Sequence, residues 1–130
     1  MATLFEECIE ALEGQAKVLP IEETEGLFDN LEKKFPMLIS GHIDWRKVKN
    51  KIQVEAIEDI LQFLKDKDHT IFVFWDHADI PGLKSDLTSI LKVIDDVTAV
   101  GFYTWLFSPN SGYVIEFGHA YATLGFCNKT

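Results

Sequence analysis

Several things are missing from this sequence, and each absence closes off a class of protein. No apolar run approaches the roughly 20 residues that a membrane helix needs; stretches such as residues 71–75 are far too short, so no bilayer span is expected. Glu6 and Glu7 fall where a secretory signal would carry positive charge, and no long apolar segment follows them, so a signal peptide is not expected. Cysteine occurs only as Cys8 and Cys127, without a spacing motif. That excludes a disulfide scaffold and fits two free thiols in a reducing cytoplasm. Glycine-rich phosphate loops, CxxC and HExxH motifs and a nucleophile elbow are all lacking. Positive charge is also scarce, with 12 Lys and Arg against 21 Asp and Glu and a net charge of −9. Nucleic acid and anionic lipid both require a basic face, so neither is an expected partner.

What is present is core material. The 130 residues are 47% apolar and include 10 Phe. That is enough for a single domain, residues 1–130, to fold without a disulfide or metal staple. The negative charge is unevenly spread. The first 32 residues hold nine carboxylates (Glu6, Glu7, Glu10, Glu13, Glu22, Glu23, Glu25, Asp29 and Glu32) against Lys17 alone. An acidic surface keeps a protein soluble, and it also attracts and steers basic partners.

The order of elements reads as α+β, with about four helices packed on a mixed sheet that ends in a three-stranded antiparallel C-terminal meander. Thr3 and Glu6 form a capping box in front of an apolar stripe of Leu4, Phe5, Cys8, Ile9 and Leu12, which Gly14 stops. Residues 16–19 suit a short strand. A second helix opens at Pro20, carries Leu27, Phe28, Leu31 and Phe35, and ends at Pro36. Residues 37–43 read as extended with a bend at Gly41, and residues 46–51 as a solvated loop or the start of a helix. Val54, Ile57, Ile60, Leu61 and Leu64 predict a third helix; Leu83, Leu87, Ile90, Leu91 and Ile94 predict a fourth, ending at Asp95 and Asp96. Between these two, residues 70–75 form a nearly continuous apolar strand suited to a position covered on both faces. Residues 98–107 are rich in β-branched and aromatic side chains, and the turn Pro109-Asn110-Ser111-Gly112 returns the chain into an alternating strand, residues 113–117. A second turn at residues 118–120 leads to a last strand, residues 121–126.

Candidate chemistry is thin. Asp76, His77 and Asp79 follow the apolar strand and would suit a hard metal or an acid–base pair, which makes a small metal-dependent hydrolase the alternative function. The same residues equally serve as caps and loop anchors, and no partner motif completes a catalytic set. His42 and Asp44 form another loose pair, insufficient as two ligands alone. His69 and His119 are expected at exposed turns. Cys8, on a buried stripe, should have a raised pKa and be inert. The tryptophans Trp45, Trp75 and Trp105 lie beside carboxylates, as interface anchors do, although each ring also suits a core.

Short blocks spread over nearly the whole chain carry a family likeness. Leu4-Phe5-Glu6-Glu7-Cys8, Glu10-Ala11-Leu12, Phe35-Pro36 and Gly41-His42-Ile43-Asp44-Trp45 resemble immunity proteins of bacterial contact-dependent growth inhibition systems. So do Trp75-Asp76, Asp95-Asp96-Val97-Thr98-Ala99-Val100, Thr104-Trp105, Tyr113-Val114-Ile115-Glu116-Phe117 and Thr123-Leu124-Gly125-Phe126. The resemblance implies a cytoplasmic protein without enzyme activity or cofactor. Its partner would be the C-terminal toxin domain of a cognate secreted effector, expected to be a nuclease. Toxin-contacting positions vary within such a family, so the resemblance assigns none here. From the residues themselves, Asp44, Trp45, Asp76, Asp79, Asp95, Asp96 and Glu116 form the expected toxin-binding patch, with the acidic face of the first two helices as second choice. The residues leave the oligomeric state open.

Overall fold

The computed structural model describes residues 3–118 and 121–127. The elements run in the order α1 (Leu4–Ala11), β1 (Lys17–Val18), α2 (Ile21–Lys34), a 3-10 turn (Trp45–Lys47), β2 (Asn50–Val54), α3 (Ile57–Phe63), β3 (Thr70–Trp75), β4 (Leu83–Asp86), α4 (Leu87–Lys92), α5 (Ile94–Thr98), β5 (Thr104–Ser108), β6 (Tyr113–Phe117) and β7 (Ala122–Phe126). The seven strands form one sheet in the order β1-β4-β3-β5-β6-β7-β2. Every pairing is antiparallel, where a mixed sheet was expected. The α+β class and the C-terminal meander β5-β6-β7 stand as read, and the turn joining β6 to β7 includes residues 119–120, outside the described residues. No helix among the described residues is long and apolar enough to cross a membrane.

Alternation along the strands divides the core in two. Ile71, Val73 and Trp75 of β3, with Leu106, Ile115 and Leu124, point to one face, where Cys8, Leu12, Ile60, Leu64, Leu87, Ile90 and Val97 of the α1, α3, α4 and α5 region cover them. Phe74, Trp105, Phe107 and Val114 point to the other face and are covered by Leu31 of α2 with Phe35, Ile43 and Val48. Each fully buried Leu, Ile or Phe contributes about 1.5–3 kcal/mol by leaving water. Strands clad on both faces must be apolar at every position, which is why Thr70–Trp75 carries no alternation in its sequence. The two cysteines are free and belong to opposite clusters, Cys8 under α1 and Cys127 beside α2. Burial, with Asp96 nearby, pushes the Cys8 thiol up to about 11, so it stays protonated at neutral pH.

Two strands lie where helix was expected. Leu83 and Leu87 are four apart, a spacing that a helix and a strand running into a helix both satisfy. Here Leu83 and Ser85 turn inward on β4 while Lys84 is exposed, and α4 begins only after Asp86. The Asp86 carboxylate accepts from the Ser89 N–H at 2.9 Å and the Ser89 hydroxyl at 2.8 Å, a side-chain cap that resets the chain from strand to helix. Val54, assigned to the third helix, ends β2, an edge strand whose other positions are mostly exposed and carry Lys51 and Gln53. The expected long strand from residue 98 starts at Thr104, because α5 extends to Thr98 and its Val97 carbonyl accepts the Trp75 indole N–H at 2.9 Å. Thr3 and Glu6 form the reciprocal capping box that the sequence predicts, both bonds 3.1 Å long.

One buried polar group ties the β5–β6 hairpin to the start of β3. The Tyr113 hydroxyl donates to the Asp68 carbonyl at 2.7 Å. The Asp68 N–H donates to Ser111 Oγ at 2.9 Å, and its carboxylate accepts from Thr70 N–H at 2.9 Å and Asn110 Nδ2 at 3.1 Å. These donors, the Thr70 N–H first, hold the Asp68 carboxyl below its ordinary range. His69, expected to be exposed, is half-buried with its Nε2 3.0 Å from the Leu64 carbonyl; His119 lies outside the described residues. Burial, reinforced by the Asp68 charge, pushes the Tyr113 phenol up to about 12. An unfolded chain ionises tyrosine near pH 10, so this contribution to stability is full below pH 10 and is lost as pH rises from 10 to about 12. Tyr113→Phe should flatten that alkaline decline and, at pH 7, cost about 1 kcal/mol for the lost hydrogen bond, as read by urea unfolding at a series of pH values. An unchanged alkaline slope in the variant would rule out Tyr113 as its source.

Candidate functional site

On the face opposite α1, α3, α4 and α5, one carboxylate organises the aromatic residues. Glu116 of β6 stands across from Trp105 of β5 in the antiparallel register. Its Oε2 accepts the Trp105 indole N–H at 2.8 Å, and its Oε1 accepts the Trp45 indole N–H at 2.9 Å. Trp45 arrives from the 3-10 turn and lies flat on the backbone of Gly125, so close that a Cβ there would fall 2.5 Å from the ring. The turn itself is held by Asp44, a buried carboxylate that accepts from Arg46 Nε at 3.2 Å, and by Lys51 Nζ, which donates to the Trp45 carbonyl. The Arg46 guanidinium holds the Asp44 carboxyl below its ordinary range.

Beside this cluster is a cleft of about 580 Å³. One wall is α2, with Thr24, Glu25, Phe28 and Asp29; another is the hairpin tip Ser40-Gly41-His42; the third is the end of β3 with Asp76, His77, Ala78 and Ile80. Phe74 and Trp105 form its floor. The walls are fixed by short polar bonds. Thr24 Oγ1 accepts the Gly82 N–H at 2.9 Å, which anchors the loop after β3 to α2. Asp76 pairs with Tyr103 as one more rung of the β3–β5 ladder, its N–H reaching the Tyr103 carbonyl at 3.3 Å and its Oδ1 accepting the Tyr103 N–H at 3.2 Å. In the hairpin, the Leu38 N–H donates to the His42 carbonyl at 2.7 Å and Gly41 adopts φ 91°, a left-handed bend that suits glycine. The His42 ring lies tilted against Tyr103 at 4.5 Å and against Trp105 at 5.9 Å, while Phe28 meets Trp105 edge-on at 6.0 Å.

The seven expected patch residues therefore occupy three places. Trp45 and Glu116 come together by a hydrogen bond, with both Glu116 oxygens engaged by indoles, while Asp44, next to Trp45 in the chain, is buried and bonded to Arg46. Asp76 and Asp79 are exposed in the loop at the cleft, where Asp76 shares the lining with the α2 carboxylates Glu25 and Asp29. Asp95 and Asp96 are exposed in the first turn of α5, on the opposite face of the sheet. Trp75 and Trp105 are core residues rather than surface anchors, and Trp45 is half-buried. Among the described residues no three His, Cys, Asp or Glu side chains form a group that could hold a metal ion. Asp76 turns to Tyr103 instead of toward His77 and Asp79, and His42 turns to aromatic rings instead of toward Asp44. The spacing of Glu25 and Asp29, four apart on one helix, carried the signal for the cleft wall; the hairpin that brings His42 over it was not visible in the periodicity.

The two indole bonds give a direct test. Glu116→Ala leaves two part-buried indole donors without their acceptor, at roughly 1–2 kcal/mol each, so a total loss of about 2–4 kcal/mol is expected in urea unfolding. Glu116→Gln keeps one accepting oxygen and should lose about half as much. Equal losses for Ala and Gln would show that the indoles do not depend on the carboxylate.

Over residues 2–124 the chain matches the family described as CdiI immunity protein, EcoliA0-like. A comparison with curated proteins found no match. With nearly its whole length covered by that family, on a fold whose exposed carboxylates border an aromatic cleft, the chain belongs to the CdiI immunity proteins and is a toxin-neutralising immunity protein.

Proposed function

We propose that this chain acts in the cytoplasm by binding the C-terminal toxin domain of a cognate contact-dependent growth inhibition effector. That domain is read as a nuclease, and the acidic face formed by α2 and the loop after β3 occupies its cationic surface. The observation that carries this reading is the placement of Glu25 and Asp29 beside Asp76, with Asp79 in the same loop and no Lys or Arg in the cleft lining. A nuclease must present cations to phosphate, and carboxylates held on a rigid scaffold compete for that surface as substrate mimics. Close charge pairs in a desolvated interface are coupled by about 1.5–7 kcal/mol, against roughly 0–1 kcal/mol for exposed pairs. A few of these acids are therefore sufficient for tight binding. Asp44, Trp45 and Glu116 act underneath the surface, fixing the sheet face on which the contact forms. Asp95 and Asp96 lie outside it.

The test is co-expression with the C-terminal domain of the effector encoded beside this chain. Cells should survive the domain only when the immunity chain is present, and the purified pair should form a stoichiometric complex. Association should slow at least tenfold between about 50 and 500 mM salt, since steering between opposite charges is screened over that range. Salt-independent association would remove the electrostatic part of the proposal, and an absence of binding would remove the whole.

A further inference from the structure

We infer that the cleft between α2, the 38–42 hairpin and the end of β3 is the seat of one arginine side chain projecting from the toxin domain. This inference rests on the toxin-binding reading above and specifies its central contact. The cleft combines two features that a salt-bridging surface alone would not need. Its floor is aromatic: Trp105 is fully buried beneath it, with Phe28 edge-on at 6.0 Å, Phe74 6.0 Å from Phe28, and the His42 ring 5.9 Å from Trp105. Its rim is anionic: Glu25 and Asp29 stand one turn apart on α2, and Asp76, whose Oδ1 accepts the Tyr103 N–H, lines the same cleft. Glu25, Asp29 and Asp76 make no ion pair among the described residues, so their charge is not neutralised from within the chain.

A cation entering such a space meets the half-buried rings of Phe28 and His42, which Trp105 and Phe74 back from beneath, together with the carboxylates of the rim. Lysine and arginine both satisfy the charge, yet the geometry favours arginine. Guanidinium is planar, weakly hydrated and able to stack on a ring while its edge donates two parallel hydrogen bonds to a carboxylate. An ammonium would surrender more hydration and could not pair in that way. The volume of about 580 Å³ exceeds the needs of one side chain, so residues flanking the arginine enter as well. Leu38 and Ile39, both exposed at the hairpin tip beside the cleft, supply an apolar lip for those flanking residues. The Trp45–Glu116–Trp105 bonding fixes the floor in advance, so little ordering remains to be done on binding.

The test uses the full chain and the C-terminal domain of the neighbouring effector. Wild-type affinity is measured first, then that of the surface variants Glu25→Gln with Asp29→Asn, His42→Ala, and Asp95→Asn with Asp96→Asn. The first two should weaken binding at least 30-fold with unfolding curves close to wild type, and the third should change it less than twofold. On the toxin side, one arginine changed to lysine should cost at least tenfold, and combining it with Asp29→Asn should cost much less than the two losses multiplied. If wild type binds and the cleft variants bind equally well, the arginine seat is refuted and the broader toxin-binding reading survives. If an arginine-to-lysine series in the toxin shows no loss and no coupling to Asp29, the occupant is not arginine and the inference fails. Failure of wild type to bind removes both readings.

Discussion

The Glu116 carboxylate receives one indole N–H on each of its oxygens, and much of the geometry of one sheet face follows from it. Trp105 belongs to the neighbouring strand, so its bond reinforces the antiparallel register. Trp45 belongs to a segment with little regular structure, so its bond, with the burial of Val48, fastens residues 44–48 to the sheet. An ionised acceptor makes each bond stronger than a neutral pair would, by about a factor of two. Removing the acceptor would leave both part-buried indole N–H groups without their carboxylate partner. The Gly125 backbone completes the arrangement, because only the smallest residue lets the Trp45 ring reach the carboxylate.

That fastening separates two kinds of acid that look alike in a sequence. Asp44 and Glu116 are structural: one is buried against a guanidinium, the other is bonded to indoles. Glu25, Asp29, Asp76 and Asp79 are exposed and border or adjoin an aromatic hollow. An interface built from the second group keeps its charges in water until a partner arrives, which speeds encounter. The first group keeps the surface rigid and lowers the ordering cost of the complex.

Much of the architecture was legible in the residues. The Thr3–Glu6 capping box, the α2 apolar spacing, the unbroken apolar run of β3 and the Pro109–Gly112 turn each express a local rule strongly enough to survive in the folded chain. Where the reading failed, two rules agreed on the same residues. A leucine pair four apart at Leu83 and Leu87 fits helix periodicity as well as a strand followed by a helix, and only the Asp86 cap decides between them. The lysine-bearing edge strand β2 looked like a solvated loop because its first residues, Asn50 and Lys51, are exposed although paired with β7. The site was legible only in its composition. Which carboxylates and tryptophans share a surface is decided by long-range pairing, and no local pattern encodes that Asp76 lines a cleft with α2 while Asp95 lies across the sheet.

The exposure of the α2 carboxylates has an evolutionary consequence. None of Glu22, Glu23, Glu25 or Asp29 contributes to either hydrophobic cluster, so each can change identity without disturbing the fold. On the reading proposed above, a lineage could change these surface acids one at a time, while Gly125, Trp45 and Glu116 are each held by a close contact and cost stability when replaced. Surface charge is free to vary there because the frame beneath it does not depend on it.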